Sequence, residues 1–106
     1  MANSKNNPEQ SLIAILSQRS AALYKRPDAE GFRTFTEAEH VEADAIATLI
    51  ATTPAADRRD AAVQVAVAKE IMELWDHDLV GPERLEIAYA ALVSASRVLG
   101  SARRSA

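Results

Sequence analysis

The chain has two histidines, and each sits in a pattern that invites acid–base or metal chemistry. Glu37 and His40 stand three residues apart. That is the Glu-x-x-His spacing with which di-iron carboxylate bundles point two ligands into a helical core. Glu42, close by, would be the third member of such a set. Yet no second Glu-x-x-His occurs anywhere in the sequence. On a helical projection of about 100° per residue, Glu37 and His40 also fall away from the apolar stripe that begins at Val41. No metal site is therefore expected.

His77 lies in the run Trp75-Asp76-His77-Asp78. Successive residues of a helix point in different directions, so this acid–base cluster is denser in sequence than in space. Lys69, Glu73 and His77 recur at intervals of four and read instead as an exposed charge ladder near a helix end. The absence of cysteine removes thiolate catalysis, disulfides and cysteine-bound zinc or iron–sulfur centres. Ser94 and Ser96 have no histidine nearby in sequence, and three glycines do not make a phosphate-cradling loop. No catalytic residue and no cofactor are expected.

Two polar residues interrupt otherwise apolar faces. Glu42 projects near the centre of one helical stripe and Gln64 near the centre of another. A buried carboxylate is costly unless paired or hydrogen-bonded, so bonding to each other or to the backbone is expected, with a polar pocket or partner facing one of them, or exposure at a helix end, as the alternatives. Trp75, the single tryptophan, reads as a core residue, with an interface anchor as the sharper alternative.

The elements that would carry these residues are marked by proline and glycine. Asn7-Pro8-Glu9-Gln10 is a helix start, with Asn7 as cap and Pro8 in the first helical position. The helix runs to about Arg26, before Pro27, with Leu12, Ile15, Leu16 and Leu23 on one face. Asp28 to Phe35 forms a loop around Gly31. Thr36-Glu37-Ala38-Glu39 is a capping box, with Phe35 placed to staple against His40. Val41, Ala45, Ile46, Leu49 and Ile50 line the second helix until Pro54. A third helix, capped by Asp57 or Thr53, extends to about Asp76 and buries Val63, Val67, Ile71, Leu74 and Trp75, with Ala68 and Met72 widening the arc. That width makes it the central element.

Gly81-Pro82 opens a fourth helix with Leu85, Ala88, Tyr89, Leu92, Ala95 and Leu99 inward. Its Ala88, Ala91 and Ala95 form a ridge of small side chains, which admits a neighbouring helix at the low end of the usual spacing of roughly 8–10 Å. Trp75, Ala88, Ala91, Ala95 and Leu99 are accordingly the candidates for helix–helix interaction, within the chain or across a dimer.

The sequence has 106 residues, enough for one domain, with residues 1–7 and 101–106 expected to fray. Alanine makes up about a fifth of it, and aromatic residues only 5%, a composition that favours helix. Arginine well in excess of lysine, together with the alanine, points to a GC-rich bacterial genome. The polar first residues do not follow the order of a secretion signal, and the apolar run Leu12 to Leu16 is too short to span a bilayer. A cytoplasmic protein is expected.

The net charge of −3 argues against a general nucleic-acid binder. Its distribution is uneven, acidic over residues 34–57 and arginine-rich towards the C-terminus, so opposite-signed surfaces can steer association. The fold class that follows is all-α, a small four-helix bundle or helical hairpins completed by homodimerisation. The function expected is non-enzymatic: a helical interaction or regulatory protein that packs against itself or a protein partner. A nucleic-acid-binding regulator, with arginines of the first and last helices on one face, and a carboxylate–histidine metal bundle are the alternatives.

Overall fold

A computed structural model of the chain describes residues 10–25 and 36–105. Four helices make up nearly all of it: α1 (Leu12–Lys25), α2 (Glu37–Thr52), α3 (Arg58–Asp76) and α4 (Glu83–Ser105). No strand occurs among the described residues. The protein is an all-α, four-helix structure.

The helix ends show why the chain breaks where it does. Ser11 stands directly before α1, and its Oγ accepts from the Ala14 amide at 3.0 Å. The Asn7-Pro8 start, the Pro27 stop, the Gly31 loop and the Phe35 staple all fall on residues outside those described. At α2 the capping box is complete, with the Glu39 amide donating to Thr36 Oγ1 at 3.1 Å and the Thr36 amide to Glu39 Oε1 at 2.9 Å.

Asp57 caps α3 by accepting from the Asp60 amide at 2.9 Å. α3 closes with Asp78 in the left-handed region, at φ 61°. There the Leu79 amide reaches Leu74 O at 2.8 Å and the Asp78 amide reaches Trp75 O at 3.0 Å, a Schellman closure usually built on glycine. α4 runs through Ser105.

α2 and α3 each pack against every other helix, whereas α1 and α4 make no close approach to each other. The result is a slab of 48 × 40 × 19 Å with two core clusters. Ile13, Leu23, Ile46 and Ile50 join α1 to α2. Ala51, Ala68, Ile71, Ala88 and Ala91 join α2, α3 and α4, and Val67 borders both.

Several expected core positions lie elsewhere. In α1 the inward residues are Ile13 and Leu23, while Leu12 and Ile15 are exposed, since the anchored Ser11 turns Ile13 towards the core. In α2 the buried arc runs through Ile46, Ile50 and Ala51, with Ala43 and Ala47 partly covered. Val41, Ala45 and Leu49 face outward. In α4 the alanines are buried and Tyr89, Leu92 and Leu99 are not. On α4 the small side chains occupy the helix contacts and the large ones are left at the margins, whereas α2 buries two isoleucines beside Ala51 and leaves Ala45 exposed.

Candidate interaction face

α3 and α4 form an antiparallel hairpin whose seam is alanine. Ala61 and Ala68 on α3 and Ala88, Ala91 and Ala95 on α4 are all buried. The alanine ridge of α4 is thus a contact within the chain. On the α2 side, the hairpin is held by polar bonds as well. The Ala55 amide donates to Ser94 Oγ at 3.0 Å, and the Arg84 guanidinium lies 3.8 Å from Asp44 and 3.4 Å from Thr48 Oγ1.

The large apolar side chains of the hairpin collect along a groove on its other flank. Met72, Trp75, Leu85 and Leu92 line an open depression of about 740 Å³ floored by Ala68. Leu99 and Val65 continue the groove past Ala62 to Arg58 and Arg59. Met72 is 50% exposed, Trp75 41%, Val65 40%, and Leu92 and Leu99 38% each. Leu85, Leu92 and Leu99 on α4 are seven residues apart, as are Arg58, Val65 and Met72 on α3. A seven-residue repeat keeps one row of side chains facing a partner helix over several turns. This spacing was the sequence signal for the groove, and reading α4 as a single inward stripe concealed it.

Among the sequence candidates, Trp75 and Leu99 border this groove and the three alanines lie beneath it. Trp75 is therefore not a core residue. Its ring stands at the groove margin because Ala68 and Ile71 take the contacts on the core side of α3.

The polar candidates separate. Gln64 is fully buried and its Nε2 donates to Ile50 O at 3.0 Å and Thr53 O at 2.7 Å, closing the end of α2 from inside. Its Oε1 has no partner. Glu42 is not buried. It meets Arg19 of α1 in a two-pronged pair, Arg19 Nε to Oε2 at 2.5 Å and Nη2 to Oε1 at 3.1 Å, with about a third of its side chain exposed. The Arg19 hydrogen bonds, helped by the charge itself, hold the Glu42 carboxyl below its ordinary value and raise Arg19 above its own. Glu42 and Gln64 do not pair, because α1 rather than α3 covers the Glu42 side of α2.

A buried carboxylate that the sequence reading overlooked is Asp60. Its Oδ1 accepts from Ser11 Oγ at 2.6 Å and its Oδ2 from the Ala56 amide at 2.9 Å. The only sequence hint was its place in the first turn after the Asp57 cap.

The remaining candidates do not assemble a site. Glu37 and His40 are exposed, Glu42 is engaged by Arg19, and no group of three His, Asp or Glu residues among those described is placed to hold a metal ion. His77 closes α3 through its backbone, and it is exposed together with Lys69 and Glu73. Ser94 accepts from the α2–α3 connection, and Ser96 Oγ donates to Val93 O at 3.1 Å. Arg19 and Arg84 are drawn to opposite sides of α2, by Glu42 and Asp44 respectively, so they share no face. Among the described residues no helix is long and apolar enough to cross a membrane. Comparison with protein-family models, curated proteins and solved structures gives no match for this chain.

Proposed function

We propose that the chain is a non-enzymatic interaction module whose α3–α4 groove face is covered by a second copy or by a helix of a protein partner. The observation that carries this reading is the row of exposed apolar side chains at seven-residue spacing, flanking an open depression over an alanine floor. Surface apolar residues scattered singly need no explanation, but a contiguous patch bordered by charge marks an association site. Helix-in-groove recognition uses this kind of ridge and trough.

The buried polar groups support the non-enzymatic side of the reading. Asp60, Gln64 and Glu39 are each occupied in capping a helix or tying one to the next. The composition, free of cysteine and rich in alanine and arginine, supports placing this activity in a bacterial cytoplasm.

Photo-crosslinking in cells tests the proposal. A crosslinking residue at Leu92 or Met72 is expected to give discrete adducts, and one at Glu70, an exposed position away from the groove on α3, is expected to give none. Absence of a discrete adduct at both groove positions would overturn it.

A further inference from the structure

We infer that the occupant of the α3–α4 groove is a second copy of this chain, seated antiparallel across a two-fold axis that passes near Leu92 and Ala68. This rests on the reading of the groove as an association site and adds the identity and the register of the partner.

Charge distribution along the groove is the first argument. Arg58 and Arg59 stand at one end and Glu73 and Asp76 at the other, with Lys69 between them near the midpoint. The four at the ends are exposed, and none makes an ion pair among the described residues. A groove that is basic at one end and acidic at the other is complementary to itself when turned through 180°. A two-fold interface requires that kind of self-complementarity, each patch meeting its own counterpart. An unrelated helix would need a matching dipole of charge, whereas a second copy has it by construction.

The register of the apolar residues is the second argument. The hairpin places Leu85 beside Met72 and Trp75, and Leu99 beside Ala62 and Val65, so Leu92 and Ala68 stand at the same level, midway. An axis through that level sets Leu92 on Leu92 and Leu85 on Leu99 of the second copy. On α3 it sets Val65 on Met72, and it brings Trp75 over the small Ala62, where a bulky ring has room. The same operation brings Arg58 and Arg59 to the acidic end of the other copy. One axis therefore satisfies both helices and both charge clusters.

The third argument is area. The 19 residues of α3 extend about 28 Å at the usual helical rise, and two helices side by side span about 20 Å. The face thus offers on the order of 600 Å² per copy, which places the pair at the lower end of stable, specific interfaces. The dimer would join two thin slabs through a central antiparallel four-helix layer.

The test uses the purified full chain in sedimentation velocity over a micromolar concentration series. A mass of two chains is expected. Leu92→Lys, which sets two ammonium groups together at the axis, is expected to weaken association at least about 100-fold, with helical content and melting retained because Leu92 is partly exposed. Should that variant fail to fold, surface charge exchange decides the matter. Arg58→Glu with Arg59→Glu, and separately Glu73→Arg with Asp76→Arg, should each lose the dimer and should regain it when mixed. Failure of the mixture to recover the dimer, or a wild-type chain that stays monomeric throughout, would overturn the inference. Crosslinked adducts of Leu92 to a different protein would also overturn it, while leaving the groove as an association site intact.

Discussion

Ser11 and Asp60, 49 residues apart in sequence, meet through a 2.6 Å hydrogen bond that fastens the start of α1 to the first turn of α3. The hydroxyl performs two tasks at once, donating to Asp60 and accepting from the Ala14 amide. Asp60 likewise serves two donors, since it also holds the Ala56 amide of the α2–α3 connection. Three segments of chain converge on one carboxylate that is 2% exposed. Removing it takes away the acceptor of both the Ser11 hydroxyl and the Ala56 amide. Asp60→Ala is expected to cost about 2–3 kcal/mol and Ser11→Ala about 1–2 kcal/mol. Denaturant unfolding of both single variants and the double should show losses that do not add, as residues sharing one bond require.

Burial and residue size part company in this chain, and that yields a sharp contrast. Ile13 and Ile71 are buried to within 3%. Each change to Ala should cost on the order of 2–4 kcal/mol. Leu49→Ala, at a position 48% exposed, should cost well under half as much. The alanines behave oppositely. Ala91 is fully buried between helices, so Ala91→Leu should overpack the seam and destabilise by about 1–3 kcal/mol. Equal losses at Ile71 and Leu49, or an indifferent Ala91→Leu, would contradict the helix phases described above.

Two backbone positions can be improved. Asp78 holds a positive φ that glycine adopts without steric cost, so Asp78→Gly should stabilise by about 0.5–1 kcal/mol. Gly100 is helical, and a Cβ there would meet nothing within 4 Å, so Gly100→Ala should add a similar amount. Thermal melts of the two single variants and their combination should show nearly additive gains.

The Arg19–Glu42 pair gives the chain a pH dependence of known sign. Glu42 is held below its ordinary carboxyl value by its hydrogen bonds from Arg19. A depressed folded-state value means stability that is present above the unfolded pKa and is lost as pH falls through the folded one. Melting temperatures of wild type and Glu42→Gln should therefore differ at neutral pH and converge in acid, below the ordinary carboxylate range. Because the pair is exposed, salt should narrow the neutral-pH difference.

The parts of this fold that could be read in advance are those governed by local chemistry. The Thr36–Glu39 box, the Asp57 cap, the Pro54 stop and the Gly81-Pro82 start each depend on a few adjacent residues, and each bounds a helix as its sequence implies. Helix phase was less legible. It depends on which neighbour a helix packs against, and on α4 the packed positions are alanines, whose burial a hydrophobic stripe drawn through Leu and Val does not weigh. The same cause hid the groove, since Leu92 and Leu99 look like core until the seam beside them is seen to be full. Glu42 and Asp60 were exchanged for a related reason. Glu42 has the projection of a buried residue but meets an arginine from a distant helix, while Asp60 has the look of a first-turn surface acid and is enclosed by α1.

α1 touches α2 and α3 and stands clear of α4, so the molecule has two tiers of cooperativity. Native proteins open in contiguous units whose opening free energies rise from the periphery to the most connected elements. α1 is the peripheral unit, latched by Ser11 at one end and clipped by Arg19 along its length, and it can detach while the α3–α4 hairpin keeps its alanine seam. Amides of α1 should thus exchange with solvent before those around Ile71 and Ala91. The groove lies wholly on the slow-exchanging tier, and excursions of α1 leave its shape untouched.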